Sequence, residues 1–280
     1  MAAAPNQGDY TRSLYDSELA SMERLLQASM GVSQAVGGIQ TANRFIRATQ
    51  LFTRLTVGSY TFVRLLPSNT LTHDRVEFWD WPSIACVARN IVETYHTFYY
   101  LIDPSLSVGE VEMRMDLMHL HLNSEKYRLY RELKPDAEIL REFEIGLPKD
   151  KERLKKNAIF HKLSEGRQSE LLKGRAAMHL THAEIGESLP FIDRYFRPIY
   201  RLFSIHVHST PMSFQAQSNE RGRGDENEAE RFYVTLAIQI ILKYLSAAVM
   251  DMARIFPDVV ARACPDALAV AREVHDATVA

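Results

Sequence analysis

Apolar residues recur along almost the whole chain at spacings of three and four residues, and no segment alternates strictly between apolar and polar positions over the length of a strand. The three-to-four spacing places apolar side chains on one face of a helix, whereas a strand alternates with a period of two. The sequence therefore predicts an all-α fold, a single multi-helix bundle-like domain of eight or more helices. We expect this domain to span residues 13–280, after a flexible N-terminus at residues 1–12.

Start and stop signals divide the pattern into helices. Two helices are expected to begin with a capping box, in which Ser or Thr precedes Glu by three residues: Ser107 with Glu110, and Thr181 with Glu184. Pro198 is expected to break or kink a later helix. The segment 217–230 has almost no apolar residue and is expected to be a mobile loop. The predicted helices cover residues 15–35, 41–66, 82–102, 107–133, 181–190, 191–208, 233–250 and 265–277.

The amino-acid composition and net charge indicate which classes of protein the chain can belong to. With 46% hydrophobic residues, 24% charged residues and a net charge of −2, the chain reads as an ordinary soluble globular protein. Near-neutral charge argues against a surface that binds nucleic acid or anionic membrane over its whole extent. Residues 149–175 contain nine Lys/Arg and four Asp/Glu, which makes them the best candidate for a local phosphate-binding face, with a solvated charged surface as the alternative.

Three features predict a cytoplasmic protein without a membrane partner. Cys86 and Cys264 are far apart and lack the spacing of a zinc site or a disulfide framework. Residues 1–10 lack the charged and apolar regions of a secretory signal. The most apolar stretch, residues 233–250, is interrupted by Lys243, so we interpret it as a buried core helix.

Three predicted helices each carry a stripe of three polar side chains at helical spacing. Buried polar groups are costly unless paired, so such stripes indicate either a structural network or a functional pocket. If the first two helices form an antiparallel hairpin, Glu93 comes level with Asp116. We also expect the first and third stripes to face each other across the core. The stripes are Arg89, Glu93 and His96, then Glu112, Asp116 and His119, then Arg201, Ser204 and His208.

The first stripe resembles a known catalytic motif. Arg89-Asn90, followed by five residues and His96, is similar to the motif of HEPN ribonucleases, in which an Arg and a polar residue precede a His by four to six positions. The resemblance implies RNA cleavage or RNA binding by a homodimer, with no metal and no cofactor. In that chemistry an Arg stabilises charge on the phosphate while a His moves a proton. His96 or His208 would be the acid/base, and Arg89 or Arg201 would hold the phosphate.

A second resemblance covers two longer segments. Residues 87–104, with A-R-N-I-V-E-T-Y-H, and residues 172–214, with Y-R-L-F-S-I-H-V-H-S, resemble an uncharacterised bacterial all-helical family of unknown function. Its members pair an R-x-x-x-E helix with a later S-x-x-V-H-S segment. A role in phage defence or in a toxin system would suit HEPN-like helical proteins. The positions marked by this resemblance are Arg89, Glu93, Ser204, His208 and Ser209.

Other functions stay open. The same cluster could be a structural network in a non-enzymatic ligand-binding or protein-interaction module. The carboxylate-x-x-His spacing of Glu93 with His96 and of Asp116 with His119 is also used by di-metal carboxylate bundles, although those motifs do not lie on consecutive helices there. Residues 180–204 have the outline of a helix-turn-helix, but acidic residues offset its arginines, so specific DNA binding is not expected.

Overall fold

The structure is a computed structural model of the chain, and it describes residues 10–72, 76–133, 137–192, 196–208, 210–215 and 221–279. Within these ranges twelve α-helices and no strand are found, which confirms the all-α prediction. The helices are α1 (Arg12–Ala35), α2 (Asn43–Leu65), α3 (Trp81–Ile102), α4 (Val108–Leu133), α5 (Ala137–Lys155), α6 (Glu165–Leu172), α7 (His182–Ser188), α8 (Phe196–Val207), α9 (Pro211–Gln215), α10 (Glu228–Ile255), α11 (Pro257–Ala263) and α12 (Pro265–Val279).

Both predicted capping boxes are confirmed. The Glu110 backbone N–H donates to Ser107 Oγ at 3.4 Å, and the Glu110 carboxylate accepts the Ser107 backbone N–H at 2.8 Å. In the same way, the Glu184 backbone N–H donates to Thr181 Oγ1 at 3.2 Å, and the Glu184 carboxylate accepts the Thr181 backbone N–H at 2.7 Å. These reciprocal bonds satisfy backbone donors that a helix start leaves without partners, and so they fix where α4 and α7 begin.

Other helix boundaries differ from the prediction. Pro198 breaks no helix, because α8 begins at Phe196 and the proline lies in its first turn, where no intrahelical N–H bond is lost. Helix α10 begins at Glu228, so residues 228–230 are helical, although the sequence places them in a loop. Four of the helices lie outside the predicted ones: α5, α6, α9 and α11.

The chain packs as two compact units, Met1–Phe98 with Gly186–Ala280, and Tyr99–Ile185. The expectation that residues 13–280 form one domain stays a prediction. So does the mobility of residues 217–230, of which 217–220 lie outside the described ranges. Residues 1–9 also lie outside them, while Tyr10 is buried and Arg12 already begins α1.

The first unit is built around α10, which packs against α1, α2, α11 and α12. Fifteen residues of α10 are buried, including Glu230. Among the described residues, α10 is the one helix long and apolar enough to cross a membrane, and 67% of its most apolar 18-residue stretch is buried inside the structure. One such helix is weak evidence for a membrane span, because a core helix passes the same test.

An arginine at the start of α1 ties distant parts of this unit together. Arg12 donates to Glu77 through both terminal nitrogens, at 3.0 and 2.9 Å, and to Glu226 at 2.9 Å. Hydrogen bonds from Arg12 and Ser68 lower the pKa of Glu77 to about 2. The first helix is thereby joined to the segments that precede α3 and α10.

The second unit has a smaller core, formed where α4 packs on α5. Its buried apolar residues are Met113, Leu117, Leu120, Leu154, Phe160 and Leu171. Part of the basic segment 149–175 is neutralised locally, because Arg153 pairs with Asp116 and Asp150, Lys155 with Glu152, and Lys173 with Glu170.

A partly buried histidine in the second unit is held in its neutral form. The backbone N–H of His179 donates to the Tyr100 hydroxyl oxygen at 3.4 Å, and the ring Nδ1 lies 2.7 Å from the same oxygen. Burial and the nearby charges of Arg114 and Arg167 lower the pKa of His179 to about 4.

This lowered pKa predicts acid sensitivity. The unfolded chain protonates His179 near its ordinary pKa of about 6.5, whereas the folded chain resists protonation down to about 4. The unfolded state binds more protons between these values, so the free energy of unfolding falls as the pH drops through that window. His179→Gln should flatten this dependence in urea titrations at pH 7, 6 and 5.

The control for this experiment is His161→Gln, in the same unit, because His161 is exposed. In this variant the free energy of unfolding should depend on pH as it does in the wild type. Parallel stability curves for His179→Gln and the wild type would contradict the assignment.

Candidate functional site

The partly exposed polar cluster of the first unit is formed by α3 and α8. Arg89 and Glu93 stand one turn apart on the same face of α3. Tyr200 lies in α8, and His208 directly follows its last residue. We call these four side chains the α3–α8 cluster.

One carboxylate oxygen is the centre of the α3–α8 cluster. Arg89 Nε donates to Glu93 Oε1 at 2.9 Å, and the Tyr200 hydroxyl donates to the same oxygen at 2.6 Å. The Arg89 guanidinium also lies 5.4 Å from the centre of the Tyr200 ring, within the range of a cation–π contact. Two hydrogen bonds and one ring contact therefore fix the guanidinium plane.

His208 joins the cluster at its outer end. Arg89 Nη1 lies 3.4 Å from His208 Nε2, although 119 positions separate the two residues in the sequence. A guanidinium only donates, so His208 Nε2 is the acceptor and the ring proton sits on Nδ1. Since His208 is exposed, its other nitrogen is open to solvent or to a ligand.

Charge and burial shape the cluster's electrostatics. The Arg89 and Glu93 side chains are 19% and 28% exposed. Burial alone would lower the pKa of Arg89, but the Glu93 charge and the hydrogen bonds to Tyr200 and Glu93 raise it. Burial, followed by the Glu93 carboxylate, raises the pKa of Tyr200 to about 12. Arg89 therefore stays charged and Tyr200 stays a hydrogen-bond donor at neutral pH.

His96 lies behind the cluster, in the core. Its side chain is fully buried, and Nε2 lies 3.1 Å from the Tyr244 hydroxyl. The rings of Phe196 and Tyr200 pack against it. The chain comes so close here that a Cβ on Gly186 would overlap the Phe196 ring. The spacing that suggests an HEPN motif thus places His96 out of reach of a polymeric substrate.

The third predicted stripe meets α3 only in part. Arg201 is exposed, and Ser204 Oγ donates to the Tyr200 backbone oxygen at 2.8 Å. His208 does reach Arg89. Ser209, which the second resemblance marks, lies outside the described residues. The contact expected from Arg201 and Ser204 is made instead by Tyr200.

Tyr200 is a residue of the cluster that is absent from the predicted stripes. A signal for it was present, since Tyr200, Ser204 and His208 also follow one another at i, i+4 and i+8 on one helical face. Among charged residues, however, the stripe begins at Arg201, and a tyrosine does not stand out on a helix that contains other aromatic residues.

Each residue of the two carboxylate-x-x-His pairs contacts other side chains within its own unit. Glu93 is held by Arg89 and Tyr200, whereas His96 turns to Tyr244. In the second unit, Asp116 accepts from Arg153 at 2.6 Å, and His119 bonds Asn123. Among the described residues, no group of three or more His, Cys, Asp or Glu side chains could hold a metal ion.

An apolar cleft of about 360 Å³, counting its open mouth, borders the cluster at Tyr200. Val92, Phe196, Ile199 and Tyr244 also line it. The cluster therefore has an apolar surface next to its polar groups, as is common for ligand sites.

No protein-family model, no curated protein and no solved structure matches this chain. The resemblances to HEPN ribonucleases and to the bacterial helical family stay predictions, carried by the residues quoted for them.

The shared oxygen of Glu93 predicts that Tyr200 and Glu93 are energetically coupled. Tyr200→Phe removes one hydrogen bond to a carboxylate and should lower the free energy of unfolding by about 1 kcal/mol. In a Glu93→Ala background the same change should cost clearly less, because the acceptor is already gone. Urea unfolding of the four proteins in this cycle measures the coupling.

The matched control is Tyr60→Phe on α2, since Tyr60 is exposed. Its effect should be close to zero. Additive effects of Tyr200→Phe and Glu93→Ala would mean that the hydrogen bond contributes nothing measurable.

Proposed function

We propose that this protein binds and cleaves RNA without a metal ion, with the α3–α8 cluster as its active site. The observation that supports this proposal is the contact of Arg89 with His208, at 3.4 Å and at the partly exposed end of the cluster. Cleavage by the 2′-hydroxyl needs a cation for the charge that develops on the phosphate and an imidazole that titrates near neutrality. Arg89 supplies a guanidinium and His208 an imidazole, side by side.

Each residue of the cluster has a defined part in this proposal. Arg89 gives Nε to Glu93 and Nη1 to His208, which leaves Nη2 for a phosphate oxygen. Glu93 and Tyr200 are positioning residues, because they hold the guanidinium and do not contact the substrate. The geometry favours His208 over His96, which is buried, and Arg89, which contacts His208, over Arg201, which is exposed.

The proposed reaction forms one bond and breaks another. When a phosphate oxygen replaces His208 as the acceptor of Arg89 Nη1, His208 Nε2 is free to take the proton of the 2′-hydroxyl. The 2′-oxygen then attacks phosphorus while the bond from phosphorus to the 5′-oxygen breaks. The products are a 2′,3′-cyclic phosphate and a 5′-hydroxyl. The leaving oxygen takes its proton from a protonated imidazole, which a second copy of the chain would provide in the expected homodimer.

The test is cleavage of end-labelled single-stranded RNA by the purified full chain in EDTA. His208→Ala should reduce the rate at least about 100-fold, the usual contribution of a general base. Arg89→Lys should also slow it, because an ammonium lacks the planar fork of a guanidinium. Arg201→Ala is the matched control on α8 and should act like the wild type.

Two outcomes would overturn this proposal. One is the absence of any cleavage by the wild type, and the other is equal cleavage by His208→Ala. A cyclic phosphate among the products distinguishes this chemistry from a contaminating metal-dependent nuclease. If the reaction occurs in cells, growth arrest on expression that disappears with His208→Ala would place it in a toxin or phage-defence setting.

A non-enzymatic role is the second candidate, and one observation favours it. Glu93 already neutralises Arg89, and Oε1 accepts two hydrogen bonds without any ligand. Such a network can pin two helices in register without chemistry. It predicts that Arg89→Ala melts at a lower temperature than the wild type, while His208→Ala, which removes only an exposed ring, melts normally and changes no RNA-dependent property.

A further inference from the structure

A second cleft lies in the first unit, and Arg89 is not among its lining residues. It has a volume of about 560 Å³, counting its open mouth, and its lining includes Trp81, His206, Arg221, Glu230 and Tyr233. We call it the α8–α10 cleft, after the helices that hold His206 and Glu230. None of these five residues belongs to the α3–α8 cluster.

The cleft contains a buried carboxylate oxygen without a donor. Glu230 is 2% exposed, and its Oε1 accepts only long hydrogen bonds, from Arg221 Nε at 3.3 Å and the Gly222 backbone N–H at 3.4 Å. Its Oε2 is buried and has no hydrogen-bond partner among the described residues. An unpaired buried carboxylate oxygen is costly, so this position calls for a donor from a ligand.

The cleft also contains a donor without an acceptor. Trp81 Nε1 can only donate, and it lies 2.8 Å from His206 Nε2, which must therefore accept. The His206 ring is then neutral with its proton on Nδ1, and burial together with the Arg221 charge lowers the pKa of this histidine accordingly. Nδ1 is buried and finds no partner in the described part of the chain.

The charges and walls of the cleft narrow the ligand class. Arg221 pairs with Glu230, and the neutral His206 adds no charge, so the cleft as a whole suits an uncharged molecule. Its lining includes the Trp81 and Tyr233 rings, stacked 5.3 Å apart at 26°, and Arg221 covers the Tyr233 ring at 5.0 Å. Aromatic and apolar walls with a few convergent polar atoms are typical of sites for flat, small ligands.

We propose that the α8–α10 cleft binds an uncharged planar heterocycle of the nucleobase class, which donates an N–H to Glu230 Oε2 and accepts the Nδ1–H of His206. Every nucleobase carries a hydrogen-bond donor next to an acceptor on one edge, and the cleft offers one unpaired acceptor, Glu230 Oε2, and one unpaired donor, His206 Nδ1–H. Sugars fit less well, because they carry hydroxyl groups on most sides and the lining offers them mainly apolar and aromatic side chains. The proposal stands whether or not the α3–α8 cluster cleaves RNA.

The experiment is titration of the full chain with adenosine, guanosine, cytidine and uridine, followed by calorimetry and ligand-observed NMR. We expect at least one nucleoside to bind at millimolar concentration or below. Its analogue with the edge nitrogen methylated, such as 3-methyluridine for uridine, should bind at least about tenfold more weakly because it lacks the N–H that Glu230 accepts. This comparison uses the wild type alone and so does not depend on the folding of a variant.

Two variants locate the binding. Glu230→Gln removes the carboxylate at nearly constant shape and should also weaken binding at least about tenfold. Glu228→Gln is its control, since Glu228 lies in the same first turn of α10 and is exposed. It should bind as the wild type does.

The results show whether the bound base comes from an RNA strand or from a free nucleoside, and they show whether the proposal fails. Displacement of the nucleoside by a short single-stranded oligonucleotide of the same base means that a base of an RNA strand enters the cleft, and failure to displace it means that the cleft takes the free nucleoside. Either result supports the proposal. Absence of binding by all four nucleosides, or equal binding of the methylated analogue, would overturn it.

Discussion

The site on α3 and α8 depends on one oxygen atom, Glu93 Oε1. It accepts a hydrogen bond from Arg89 on its own helix and another from Tyr200 on α8. A carboxylate at this depth needs such donors, because leaving it partly buried and unpaired would cost several kcal/mol. The same two bonds set the orientation of the guanidinium, and through it the position of His208. The same two hydrogen bonds therefore join the helices, neutralise the Glu93 carboxylate and set the geometry of the candidate site.

Much of the fold could be predicted because its long helices have regular apolar spacing and clear caps. Helices α3, α4 and α10 were found from periodicity, and Ser107 and Thr181 mark helix starts through hydrogen bonds that the sequence already implies. Helices α5 and α6 are rich in charged residues, and Pro148 lies inside α5, so the local sequence does not favour a helix there. These helices form nevertheless, because apolar residues of both pack into the core that α4 shares with them. Helices α9 and α11 are too short, at five and seven residues, for periodicity to detect.

The candidate site could be predicted only in part, for a reason of helical phase. Arg89, Glu93 and His208 do come together, but the face of α8 that meets α3 begins at Tyr200 and not at Arg201. One residue corresponds to about 100° around a helix, so this small difference moves Arg201 from the interface to solvent. His96 shows the same difference between sequence and structure. Its spacing from Arg89 places the two residues on one side of α3, but its ring lies in the core. The pattern of charged residues identifies candidates for a site, but which candidates lie on the same surface depends on how the helices pack.

The order of the segments along the chain has a consequence for how this protein folds. Helix α1 packs against α10 and α12, from which the entire Tyr99–Ile185 unit separates it in sequence. During synthesis at roughly 5–20 residues per second, the apolar face of α1 therefore waits many seconds for its partners to leave the ribosome. The Tyr99–Ile185 unit, whose contacts are local, has no such delay. Contacts between segments so far apart slow folding, and until they form, only α2 among the helices that pack on α1 is present to cover it.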